Sequence, residues 1–192
     1  YDGKELFHND VSKDVCRDIA YACRRYDMYG MYEHRDKVYV DGQKMDNELL
    51  AEMVRYFRSN GIFVGEDVDS DDFEFDKFCC WIPEDNKKVP EFREYVSGNF
   101  DYIDRGRDFC EIVPKGFSKA TGIKYLLDYF DIPLENAYAF GDGNNDAPML
   151  LYCPNSIIMM KGPEELKKQV MMVTDDAEND GIYNAMVKLG II

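Results

Sequence analysis

Apolar residues recur at helical spacing from Val11 through Val15, Ile19, Ala22, Cys23 and Tyr26, which predicts a helix with Ser12 as its N-cap. Two strands follow, at about 28–33 and 37–40, around a turn at His34-Arg35-Asp36. Leu49, Leu50, Met53, Val54 and Phe57 mark a second helix, which Asp46 is expected to cap and Gly61 to stop. Ile62-Phe63-Val64 reads as a short strand and 73–82 as a longer aromatic one. Residues 83–96 read as a helix, and 100–104 with 108–113 as a hairpin. Residues 1–10 look like the tail of another hairpin, turning at Asp2-Gly3.

The pattern changes after Pro114-Lys115-Gly116. Ser118 is expected to cap a helix that carries Ile123, Leu126, Leu127 and Phe130 on one face. Strands and helices then alternate: a strand at 137–140, another at 156–160, a helix at 163–169, a strand at 170–174 and a helix at 181–189. This alternation predicts an α/β unit with a parallel sheet, whereas the mixed hairpins and helices of the first half predict an α+β unit. Two units are therefore expected, residues 11–109 and 110–192, with 1–10 as a hinge and a remnant of the second.

Chemistry concentrates behind the strand at 137–140, where the chain reads Gly141-Asp142-Gly143-Asn144-Asn145-Asp146-Ala147-Pro148. A buried strand, a tight glycine turn and a helix start form the place where open α/β sheets bind ligands. Asp142 would project above the sheet edge. Asn145 and Asp146 would lie in the first helical turn, where free N–H groups and the helix dipole favour an anion. A carboxylate beside an anion site calls for a bridging cation, and Mg²⁺ prefers oxygen ligands shared between carboxylates and a phosphate. The alternative is a surface loop ending in a helix cap.

Charge narrows the partners. Thirty-eight acidic against 23 basic residues leave a net charge of −15, which disfavours nucleic acid and anionic membranes as partners. No apolar run approaches a membrane span and no signal peptide opens the chain, while cysteines that read as reduced thiols lead us to expect a cytoplasmic protein. The six cysteines show neither a C-x-x-C nor a zinc spacing and read as buried, reduced thiols. The first Met stands at position 28, as in a fragment.

The string at 141–146 resembles the fourth signature motif of the haloacid dehalogenase-like hydrolases, most of which are phosphatases. Gly116-Phe117-Ser118-Lys119, one helix earlier, resembles their third motif. The order looks most like the Cof-type sugar-phosphate phosphatases, whose α+β cap domain is inserted into a Rossmann-like core. Met160-Lys161-Gly162-Pro163-Glu164-Glu165, Val173-Thr174 and Asp180-Gly181 resemble that subfamily's later pattern. The resemblance implies that Asp142 holds Mg²⁺ and that the Lys119 ammonium neutralises charge on a phosphoryl group. It implies further that Asn145 contacts a phosphoryl oxygen and that Asp146 supports the lysine or a metal-bound water. The substrate would be a small phosphorylated metabolite, and selectivity would fall to the cap. There His34 and Arg35 would face the site, with Arg105-Gly106-Arg107 at the far end.

The family's nucleophile, the first aspartate of an Asp-x-Asp-Gly-Thr motif, has no counterpart here, and the resemblance implies an N-terminal core segment upstream of Tyr1. Asp67-Val68-Asp69 has the dyad without the Gly-Thr and falls within the cap region; a solvated acidic loop is the better reading, and a calcium loop fails at Asp72 and Phe78. Two rivals remain. Cation-pumping P-type ATPases carry much the same string but need membrane helices and a nucleotide-binding domain. A non-catalytic phosphate- or metal-binding module would need no nucleophile.

Overall fold

The computed structural model describes residues 1–106 and 108–192. The chain divides into two compact units, Tyr1–Lys115 and Gly116–Ile192. The strand Phe109–Pro114 pairs within the first unit's sheet and carries that unit through to Lys115, so this division falls a few residues after 109/110.

The first unit is built on strands β1 (Tyr29–His34), β2 (Lys37–Val40), β3 (Phe63–Gly65), β4 (Lys77–Trp81), β5 (Phe100–Asp104) and β6 (Phe109–Pro114). They form one sheet in the order β3-β2-β1-β4-β6-β5, antiparallel throughout except for the β2/β3 pair. Helices α1 (Lys13–Arg25), α2 (Glu48–Ser59) and α3 (Val89–Val96) complete it. Both sheet faces are covered, so β4 needs apolar residues at both parities. Phe78 and Cys80 join Cys16, Ile19 and Cys23 of α1 and Phe92 of α3 in one core. Cys79 and Trp81 point to the other side, into a core with Leu50 and Val54 of α2. Each fully buried Leu or Phe in these cores contributes roughly 2 kcal/mol.

Several local expectations shift. Helix α2 is capped by Asn47, whose side chain accepts the Leu50 N–H at 3.0 Å, and Asp46 does not play that part. The aromatic strand shortens to β4, because Phe73 and Phe75 are buried in a loop beneath Tyr32, with ring centroids 5.1 and 5.3 Å away. Residues 1–12 contain a turn at Asp2-Gly3 and no strand. All six cysteines are buried and free.

The second unit has a three-stranded parallel sheet in the order β7-β8-β9, from β7 (Tyr138–Gly141), β8 (Asn155–Met159) and β9 (Met172–Thr174). Its helices are α4 (Lys119–Phe130), α5 (Ala147–Tyr152), α6 (Glu164–Lys167) and α7 (Gly181–Lys188). Ala139, Leu150, Cys153, Ile158 and Leu166 make its small core. Strand β7 stands at the sheet edge with Tyr138 exposed, and α4 buries none of its residues. Among the described residues no helix is long and apolar enough to cross a membrane.

Candidate active site

Strand β7 ends at Gly141, and the chain turns back through Asp142 and Gly143 into a 3-10 turn, Asn144–Asp146. A Cβ at position 141 would lie 2.6 Å from Asp146 Cβ and 2.9 Å from its Oδ2, so only glycine lets the turn fold over the strand end. Asp146 is buried, and both its oxygens are used. Oδ2 accepts the N–H of Asp142 at 2.9 Å and of Gly143 at 3.2 Å, while Oδ1 accepts from the Lys119 ammonium. Burial pushes the Asp146 carboxyl up, but Lys119 and the two N–H groups together outweigh it and hold the carboxyl below its ordinary range.

Lys119 is the first residue of α4, where a reciprocal cap sets the helix start. Ser118 Oγ accepts the Thr121 N–H at 3.2 Å, and Thr121 Oγ1 accepts the Ser118 N–H at 2.9 Å. The Lys119 side chain is half-exposed while its buried partner fixes the ammonium beside the turn. Asp142 is exposed at the strand end. Asn145 is half-buried, with its amide oxygen Oδ1 buried and lacking a hydrogen-bond partner among the described residues.

Asn145 and Asp146 lie ahead of α5 and outside its first turn, which corrects the expectation from sequence. Helix α5 has only six residues, and the N–H groups of Asp142 and Gly143 point to Asp146. Positive charge at this end of β7 therefore comes from Lys119 more than from a helix dipole. With both Asp146 oxygens occupied, the Asp142 carboxylate and the Asn145 amide oxygen are side-chain oxygens at this turn that could hold a cation. That set fits Mg²⁺, which accepts one or two carboxylates and completes its shell with water and phosphate.

The candidate residues of the first unit lie at the β1–β2 hairpin, where His34 pairs with Lys37 across a two-residue turn. Arg35 is exposed, has φ +30°, and its guanidinium meets Glu5 at 3.1 Å. His34 is held by carboxylates of its own unit, Nε2 at 3.3 Å from Glu74 and Nδ1 at 3.2 Å from Asp76. Arg105 lies 3.6 Å from Glu111, and Arg107 falls outside the described residues. The Asp67–Asp69 loop is anchored: Val68 is buried, Asp67 Oδ1 accepts the Asp69 N–H at 3.0 Å, and the Arg24 guanidinium holds the Asp69 carboxyl below its usual range. Sequence reasoning missed His8 and Asp76, which stand beside His34. Their one signal was that the chain has just two histidines.

The chain is 26% identical over 191 residues to 5-amino-6-(5-phospho-D-ribitylamino)uracil phosphatase YitU of Bacillus subtilis, covering 92% of this chain and 66% of that protein. It is 26% identical over 110 residues to an HMP-PP phosphatase of Yersinia pseudotuberculosis, covering 55% of this chain and 40% of the other. The chain thus spans about two thirds or less of the length of these curated relatives. Among solved structures, a sugar phosphatase of haloacid dehalogenase subclass IIB matches with a TM-score of 0.81 at 22% identity, over 100% of this chain and 72% of that one. At that identity the likeness is one of fold. The family model for haloacid dehalogenase-like hydrolases matches residues 1–186, nearly the whole chain, and the chain belongs to that family.

Proposed function

We propose that this chain forms the greater part of a Mg²⁺-dependent phosphatase of small phosphorylated metabolites, with the nucleophile supplied from outside residues 1–192. The observation that carries this reading is the buried carboxylate of Asp146, which holds the Lys119 ammonium beside the exposed carboxylate of Asp142. Such a pair sets a fixed positive charge where a phosphoryl group would carry its negative charge. Its superfamily is generally metal-dependent, and Asp142 with the Asn145 amide oxygen would hold Mg²⁺. The bound cation would neutralise phosphoryl oxygens. The Asn145 amide N–H would donate to one of those oxygens, and Lys119 to another.

The chemistry balances as two displacements. An aspartate carboxylate attacks phosphorus in line, the ester P–O bond breaks, and the leaving oxygen takes up a proton and departs as the alcohol. Water then attacks phosphorus and gives up a proton as the P–O bond to the aspartate breaks, which yields inorganic phosphate and restores the carboxylate. Two features of the second unit support a further segment of chain against it, the edge position of β7 and the exposed Leu126 and Tyr129 of α4. The names of the relatives, a phosphatase of a phosphoribityl compound, an HMP-PP phosphatase and a sugar phosphatase, support a small phosphorylated metabolite as substrate, and two of the three favour a sugar-phosphate-like one. The first unit would act as the cap, with Arg35 released from its exposed pair with Glu5 to meet the substrate.

The test compares residues 1–192 with a form extended upstream, using p-nitrophenyl phosphate and Mg²⁺. The extended form should hydrolyse it and 1–192 alone should not. In the extended form Asp142→Ala should abolish turnover, and Lys119→Ala should lower kcat by about 10² to 10³ or more. Arg35→Ala should raise KM for a sugar phosphate while sparing p-nitrophenyl phosphate. Robust turnover by 1–192 would place the nucleophile within the chain and overturn this reading.

A further inference from the structure

The chain's two histidines, at positions 8 and 34, are brought together in the first unit, with ring centroids 5.9 Å apart and planes at 79°. The Asp76 carboxylate stands between them. Its Oδ1 lies 3.1 Å from His8 Nε2 and its Oδ2 lies 3.2 Å from His34 Nδ1. These separations would suit hydrogen bonds, yet the groups are not aligned as hydrogen bonds, and both ring nitrogens are buried with no such partner among the described residues. Two buried imidazole nitrogens facing one carboxylate, all within 4.8 Å of one another, can share a cation.

We propose that His8, His34 and Asp76 form a binding site for a divalent cation of the zinc type. Imidazole nitrogens select such ions, whereas Mg²⁺ prefers the all-oxygen set around Asp142. Outer contacts are in place to orient the ligands. Glu74 Oε1 lies 3.3 Å from His34 Nε2, so an N–H there would leave the Nδ1 lone pair toward Asp76. Asp76 is itself fixed, since its Oδ2 accepts the Arg35 N–H at 3.2 Å and its own N–H donates to the Glu33 carbonyl at 2.8 Å. Asp10 Oδ1, 3.0 Å from His8 Nε2 and exposed, is placed to become a fourth ligand. His34 and Asp76 also line a groove of about 410 Å³, with Val38, Phe57 and Ile62, through which an ion can enter. The rival arrangement is a charged pair of imidazoles held by protons between the same carboxylates.

The purified, EDTA-treated chain should be titrated with Zn²⁺ while the two imidazoles are followed by long-range ¹H–¹⁵N NMR, and separately with Co²⁺ by absorbance. One equivalent of Zn²⁺ should move both imidazole spin systems together. Co²⁺ should develop d–d bands without thiolate charge transfer, which separates this site from the six buried cysteines. His34→Ala, and separately His8→Gln, should weaken Zn²⁺ binding at least about tenfold. Imidazoles that stay in place at saturating Zn²⁺ would overturn the proposal, and that reading is made on the unsubstituted chain. So would binding that survives both substitutions, or Co²⁺ spectra dominated by thiolate.

Discussion

At the scale of single residues, Asp146 carries more structure than Asp142, although both belong to the same acidic turn. Asp146 is buried and accepts three hydrogen bonds, whereas Asp142 is exposed. Replacing Asp146 by Ala leaves the N–H groups of Asp142 and Gly143 without their acceptor, and should destabilise the second unit by about 1–3 kcal/mol. Asp142→Ala should change it by less than about 0.5 kcal/mol. Urea unfolding followed by far-UV circular dichroism checks both. The pH dependence has a definite sign. The folded carboxyl of Asp146 titrates below its unfolded range, so its contribution is present above that range and is lost as pH falls through the folded value. The stability gap between the unsubstituted chain and Asp146→Asn should therefore narrow below about pH 4. A gap that widens on acidification would contradict the pairing with Lys119.

At the scale of elements, the end of α1 is tied down by one arginine. Arg24 donates to Asp41, which is buried at the end of β2, and to Asp69 at 2.9 Å on the half-exposed loop before β4. Arg24→Ala leaves the Asp41 charge buried without its cation and should cost about 3 kcal/mol. Asp69→Ala removes only the more exposed partner and should cost less than about 1 kcal/mol. Trp81, the one tryptophan of the chain, sits in the core beneath α2 and reports the first unit's unfolding by fluorescence. Equal losses from the two substitutions would mean that Asp41 is satisfied some other way. None of this pairing was legible from periodicity, although α1 itself was, because Arg24 and Asp69 meet across 45 positions. The aromatic stretch at 73–82 failed for a related reason. A buried loop and a buried strand both read as an apolar run, and only pairing with β1 and β6 marks where β4 begins.

At the scale of the whole molecule, the two units differ in how fully they cover themselves. The first unit buries both faces of a six-stranded sheet beneath its own helices. Residues 1–115 expressed alone should therefore give a dispersed amide NMR spectrum and a cooperative Trp81 transition in urea. Residues 116–192 expressed alone should give poorly dispersed spectra and bind a hydrophobic dye, because α4 meets the core only through partly buried residues such as Ile123 and leaves Leu126 and Tyr129 exposed. A well-dispersed spectrum from 116–192 would show that the small core around Leu150 and Ile158 suffices.

The sequence by itself determined what depends on neighbours within a few positions. The Ser118 cap, the glycine turn at 141–143, the alternation of strands and helices and the family motifs all act over such short ranges, through backbone geometry and side-chain period. That Asp146 would serve Lys119 could be expected from the order of those motifs. Tertiary structure alone decided that both Asp146 oxygens are consumed, while the Asp142 carboxylate stays exposed and the Asn145 amide oxygen has no hydrogen-bond partner among the described residues. It also decided that His8 and His34 flank Asp76 and that Arg24 bridges Asp41 and Asp69. Those meetings follow from strand order and loop path across the sheet, and hydrophobic spacing along the chain carries no record of which distant strands will pair.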